Sequence, residues 1–122
     1  MSKKLCALRG ATTVDEDTPD QVRSRTIALL KEMMDRNSIE LDDIVSVIFT
    51  VTSDVHSMFP ATAARDIGFS GIPLICAREI DVEGALPLCL RVLMHFETDI
   101  PRSQLRPIYA EGAIVLREDL QT

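Results

Sequence analysis

LPLCLRVLMHFE, residues Leu86–Glu97, is the stretch on which the fold turns. Read as a helix, it is apolar nearly all round. Read as a strand, it sorts into two faces, with Cys89, Arg91, Leu93 and His95 on one and Leu90, Val92, Met94 and Phe96 on the other. Apolar content alone leaves both periods open. The segments around it set the balance. VSVIFTVT (Val45–Thr52) is rich in β-branched residues and predicts a strand. KLCALR (Lys4–Arg9) predicts a first strand that ends at Gly10, LICARE (Leu74–Glu79) another, and AIVL (Ala113–Leu116) a short terminal one. The clearest helix starts at Thr18. Thr18 can cap it, Pro19 suits the first helical position, Gln21 completes a capping-box pattern, and Asn37 is a stop. Val22, Thr26, Leu29, Leu30 and Met33 then share its inner face. PATAARDIG (Pro60–Gly68) predicts a short helix closed by Gly68. The expected fold class is therefore α/β in the α+β sense, a mixed β-sheet with one long helix and no regular βαβ alternation. One long helix covers one face of a sheet, yet several strands are apolar on both faces. Another subunit is the expected second cover, which predicts a closed homo-oligomer.

The chain has 122 residues, 46% of them hydrophobic, and 13 Lys+Arg against 19 Asp+Glu for a net charge of −6. A chain of this length predicts one domain over residues 1–122. The acidic balance argues against nucleic acid as a partner, which needs a basic face. No apolar run reaches the roughly 18 residues of a membrane span, and MSKKLCALRG has no secretory-signal pattern. No membrane association and a cytoplasmic location are expected. Cys6, Cys76 and Cys89 are odd in number and widely spaced, and with His56 and His95 the only histidines, neither a disulfide framework nor a metal site is expected. No phosphate loop, dinucleotide fingerprint or serine elbow is present. The unusual polar features are arginines embedded in apolar strand sequence: Arg9, Arg91 and Arg117. A guanidinium cannot shed its proton, so burial requires a carboxylate partner or an anionic ligand. Pairing with Asp or Glu explains any one of them, and Arg65 alone reads as a solvated helix charge. Taken as a site, they would bind small anions and work by position and charge.

LRGATTV (Leu8–Val14), HSMFPATAAR (His56–Arg65), IPLICAREIDVEG (Ile72–Gly84), CLRVLMHFETDIP (Cys89–Pro101) and IYAEGAIVLREDL (Ile108–Leu120) together resemble the monofunctional, AroH-type chorismate mutases. The segments run in order over almost the whole chain. The resemblance implies a homotrimer whose sheets pack into a pseudo-α/β barrel, with an active site in each cleft between subunits. It implies the Claisen rearrangement of chorismate to prephenate, intramolecular and without a cofactor, on the route to phenylalanine and tyrosine. Arg91 would meet the ether oxygen and a substrate carboxylate, Arg9 and Tyr109 would hold carboxylates, and Glu79 would accept the ring hydroxyl. The stretch Ile75, Cys76, Ala77, Arg78 and Glu79 would line the pocket. Phe59, Ala61, Leu74 and Leu116 would form apolar walls, with Arg65 and Arg117 around the entrance. Thr62 departs from the lysine common at its position, which thins the positive rim. The competing expectations are a non-catalytic trimer that binds aromatic acids and a trimeric imine deaminase-like enzyme. The net charge of −6 makes long-range attraction of a dianion weak, so the arginines are expected to act locally.

Overall fold

In a computed structural model, which describes residues 3–120, the pivotal stretch is a strand, β4 (Cys89–Thr98). Leu90, Val92, Met94 and Phe96 are buried at period two, while Arg91, Leu93 and His95 turn to the opposite face. The entry to the strand is fixed just upstream. Leu88 has φ 51°, its N–H donates to the Asp54 carboxylate at 3.0 Å, and its carbonyl accepts from Val14 at 2.9 Å. β4 is the middle of a five-stranded sheet ordered β3-β2-β4-β1-β5, with β1 at Lys4–Thr13, β2 at Ile44–Val51, β3 at Leu74–Arg78 and β5 at Ile108–Tyr109. It runs antiparallel to β1 and β2, while β2–β3 and β1–β5 are parallel, so the sheet is mixed, as expected. β1 runs four residues past the predicted end. Gly10 does not stop it, because the full register from Lys4↔Thr98 to Thr13↔Cys89 gives each of those residues a partner on β4.

Helix α1 (Pro19–Arg36) starts and stops where the sequence indicates. The Thr18 hydroxyl accepts the Gln21 N–H at 3.2 Å, but the second half of the expected box is redirected. The Gln21 side-chain oxygen accepts from Asp15 and Glu16, at 2.7 and 3.1 Å, and so ties the β1–α1 loop to the helix. Val22, Thr26, Leu29, Leu30 and Met33 are all buried. At the far end, buried Asn37 donates to the carbonyls of Met33 and Arg106 and accepts the Arg106 N–H at 2.6 Å, joining the helix stop to the approach to β5. Gly10 lets α1 come close to β1, since a Cβ there would lie 2.5 Å from the Met33 sulfur. Short helix α2 (Pro60–Arg65) packs on α1 and β3, and Gly68 follows with φ 103°, the left-handed geometry expected of the helix stop. Both helices lie on the face of Leu90, Val92, Met94 and Phe96.

One predicted strand is overturned. Ala113–Leu116 belongs to a 3-10 helix, Glu111–Leu120. The β1 edge is already taken by two-residue β5. Glu111 then adopts φ 51°, and Gly112 and Ala113 donate to Thr13 Oγ1 and the Ala110 carbonyl, at 2.9 and 3.0 Å. A four-residue apolar run is too short to carry a period of its own. Among the described residues, no element of this chain crosses the centre of the sheet face opposite the helices. Half-buried Leu93 and Ile48 and exposed Ile75 lie there beside Arg9 and Arg91. Among the described residues, no helix is long and apolar enough to cross a membrane.

Candidate active site

The register builds the site. On the uncovered face Arg91 stands between Ala11 of β1 and Thr50 of β2. Beyond them Ala11 pairs with Tyr109 and Thr50 with Ala77, so one row crosses all five strands. The flanking Ala11 and Thr50 are small, which leaves the guanidinium unobstructed. Arg9 lies two residues along β1, diagonal to Arg91 and opposite Leu93. Together they enclose a hollow of about 220 Å³ with an apolar floor of Ala11, Ile48 and Leu93 and a polar rim of Arg9, Arg91, Thr50 and Tyr109.

Glu79 reaches this row from just beyond β3. Its N–H donates to the Val51 carbonyl at 2.9 Å, prolonging the β2–β3 pairing, and its carboxylate accepts the Thr50 hydroxyl. The same oxygen, Oε2, lies 3.6 Å from Arg91 Nε. That distance is too long for a formed hydrogen bond, so the guanidinium is oriented by the carboxylate without having its donors consumed. The Arg91 side chain is 44% exposed and that of Glu79 23%. Arg9 has no carboxylate partner among the described residues. Two cations facing one hollow, one unpaired and one loosely paired, suit an anionic ligand with more than one charged group.

The remaining residues expected at the site form a second group around edge strand β3. Phe59, just before α2, is 70% exposed. With Cys76, Ala77 and Arg78 it lines a larger cavity of about 430 Å³, which lies away from Arg91 and Arg9. Leu74 and Cys76 point to the helix side, opposite Val47 and Phe49, and Ala61 is buried beside them, while Ile75 faces the open side. Arg65 is exposed on α2 and half-buried Thr62 precedes it on the same helix. Half-buried Leu116 and exposed Arg117 sit on the final 3-10 helix, which packs against β1 and β5 and does not line the hollow. Within one chain, then, Arg9, Arg91, Glu79 and Tyr109 are brought together, while Leu74 and Cys76 turn to the other face of the sheet and Phe59, Ala61 and Arg65 lie at α2, away from the hollow. Burial pushes the Cys76 thiol above its usual range against the opposing Ala61 N–H and Arg65 charge. Burial does the same to Cys89 despite nearby Arg91. Both thiols are neutral, which makes them poor nucleophiles.

Sequence reading missed Thr50. Its signal was a hydroxyl on the Ile48 face of a mostly apolar strand, a face it shares with Ser46, but only the β2–β4 register reveals that it adjoins Arg91 and Glu79. It also missed Asp17, which holds the 56–59 loop by accepting the N–H groups of His56 and Ser57 at 3.0 and 3.1 Å.

An α+β sheet with a bare face carrying two guanidiniums, a carboxylate and a phenol over an apolar floor defines a class: proteins that hold a small anionic molecule by charge and shape. The comparisons with known proteins narrow it. A family model described as chorismate mutase type I matches residues 5–120. The chain is 46% identical over 116 residues to the chorismate mutase AroH of Thermus thermophilus, spanning 94% of this chain and 95% of that one. It is 40% identical over 114 residues to that of Bacillus subtilis, spanning 93% and 90%. Among solved structures, a chorismate mutase from Clostridium thermocellum superposes with a TM-score of 0.89 at 48% identity, covering 90% of this chain and 98% of that one. The chain belongs to the type I chorismate mutase family.

Proposed function

We propose that this protein is a chorismate mutase, one domain throughout, which converts chorismate to prephenate in aromatic amino acid biosynthesis, with its active site shared between neighbouring subunits of a homotrimer. The observation that carries the reading is Arg91, a guanidinium standing over the hollow with its partner carboxylate 3.6 Å away and a second cation, Arg9, on the diagonal. The substrate is a dianion that must fold so that two of its carbons meet. Holding its two carboxylates at fixed points, with Arg9, Tyr109 and part of the Arg91 fork, selects that compact conformer. Breaking of the C–O bond runs ahead of C–C formation, so negative charge gathers on the ether oxygen. Arg91, already in place, meets that charge and binds the transition state more strongly than the ground state. Glu79 accepts the ring hydroxyl and keeps Arg91 aimed. No proton changes hands and no covalent intermediate forms.

The trimer is supported by the division of the site. A single ligand reaches both residue groups only if the exposed Phe59 and the edge of β3 on one subunit close over Arg9, Arg91, Glu79 and Tyr109 of the next. The bare apolar sheet face, with Ile75 60% exposed, supports the same arrangement. The chain's three free thiols support a reducing, cytoplasmic setting.

The test follows the loss of chorismate's diene absorbance. The expected result is decay far above the uncatalysed rate, with prephenate as product. No acceleration, or tight prephenate binding without turnover, rejects the reading. Sharing of the site is tested by co-refolding two separately inactive variants, one altered at Arg91 and one at Phe59. Recovery of activity in the mixture is expected, and its absence rejects the shared site.

A further inference from the structure

Among the described residues, Thr50 is the one hydroxyl in the reactive row that has no part in the function proposed above. It is the penultimate residue of β2, half-buried, the direct cross-strand neighbour of Arg91, and its hydroxyl donates to Glu79 Oε2, the same oxygen that faces Arg91 Nε. Its other cross-strand neighbour is Ala77, which offers no side-chain donor. Among the described residues, Thr50 is the only side chain that hydrogen-bonds the Glu79 carboxylate. A threonine is stiff about χ1, so the backbone of β2 itself fixes the direction of this hydroxyl.

We propose that Thr50 is a positioning residue for the rearrangement: its hydroxyl, donated to Glu79 Oε2, sets the plane of that carboxylate so that one oxygen aims Arg91 and the other is left open to the substrate's ring hydroxyl. Glu79 is tied to β2 at two points, through its own N–H to Val51 and through its side chain to Thr50. Without the second tie the carboxylate turns about its side-chain torsions. It can then fold fully onto Arg91 as an ordinary ion pair, which consumes the donors the ether oxygen needs, or swing to water, which leaves the guanidinium unaimed. Two residues on, just past the end of the strand, the same device recurs. Thr52 Oγ1 donates to Asp54, and Asp54 in turn holds the Leu88 N–H at the entry to β4. Thr50 near the end of β2 and Thr52 just beyond it thus each steer a carboxylate.

This inference rests on the chorismate mutase reading, and the experiment separates the two. Thr50→Val keeps shape and strand preference but removes the donor. Thr50→Ser keeps the donor but weakens strand preference. The expected order for kcat/KM is wild type, then Ser, then Val, with Thr50→Val down about tenfold, carried by kcat more than by KM. The expected order for thermal stability is the reverse at its lower end, with Val close to wild type and Ser below it. In a Glu79→Ala background, Thr50→Val is expected to have no further effect, because two groups that act as one unit do not add. If wild type turns over chorismate and Thr50→Val is as fast, or if the Val loss persists undiminished without Glu79, the positioning role is overturned while the mutase reading stands. If activity follows stability across the three proteins, the role is likewise overturned in favour of a purely structural one. If wild type itself does not turn over chorismate, both fall.

Discussion

Replacing Arg91 by glutamine separates what this side chain does for the fold from what it does for the reaction. In the isolated chain Arg91 is 44% exposed and its charge lies 3.6 Å from Glu79, beyond hydrogen-bond length. Ion pairs this open to solvent contribute about 0–1 kcal/mol after screening. Glu79 keeps its bond from Thr50 when Arg91 is gone, so no carboxylate is stranded. Arg91→Gln should therefore cost less than about 1 kcal/mol of stability, a shift in Tm of a few degrees at most. The catalytic loss is of a different size. A millionfold acceleration requires about 8 kcal/mol of barrier lowering, and removing one preorganised donor from a developing oxyanion costs about 3 kcal/mol. The expected result is a fall in kcat/KM of at least about a hundredfold with an almost unchanged melting curve. Arg91→Lys should fall between, because an ammonium supplies charge without the planar fork that serves ether oxygen and carboxylate together. The assay is diene absorbance under subsaturating chorismate, run beside a thermal melt of the same preparations. Arg91→Gln with more than about a tenth of wild-type kcat/KM contradicts the transition-state role, and a large drop in Tm contradicts the assignment of Arg91 as energetically idle in the fold.

Two further outcomes follow from the structure. Gly10→Ala places a Cβ 2.5 Å from the Met33 sulfur and 3.3 Å from Leu29, both fully buried, so the Met33 side chain must repack in a filled core or α1 must lift from β1. A loss of about 1–3 kcal/mol in urea denaturation is expected, and an unmoved midpoint refutes the packing argument. At Asp17, burial pushes the carboxyl up, but donors on Ser57 and the His56 N–H outweigh it and hold the group below its usual 3.8. A depressed folded value means that the carboxylate stabilises the protein above pH 3.8 and ceases to as pH falls through the lower, folded value. The stability gap between wild type and Asp17→Asn should close as pH falls through the lowered folded value of Asp17. A gap that does not vary with pH shows that the 56–59 loop is held by something other than this charge.

Sequence by itself determined the local elements with strong periods or caps. The Thr18 cap and the inner face of α1 were legible because a helix carries its own repeat and its own end signals. β2 was legible because its residues are β-branched, and Gly68 because only glycine adopts that φ cheaply. The resemblance on motifs such as LRGATTV and CLRVLMHFETDIP also singled out Arg9 and Arg91 as candidate site residues. Local pattern could not decide what depends on pairing partners. LPLCLRVLMHFE fits two periods, and its neighbours β1 and β2 choose the strand by supplying backbone partners on both sides. AIVL looked like a strand, but β5 already held the edge, and the turn at Glu111 sent the chain into a 3-10 helix. The site shows the same limit. That Arg91 lies beside Thr50 and Ala11, diagonal to Arg9 and 3.6 Å from Glu79, is a fact of register, and a slip of one residue would have turned Arg91 into the core. Tertiary structure alone decided which expected site residues share a face, because strand pairing joins residues far apart in sequence while the sheet itself keeps others, such as Cys76 and Arg9, on opposite sides.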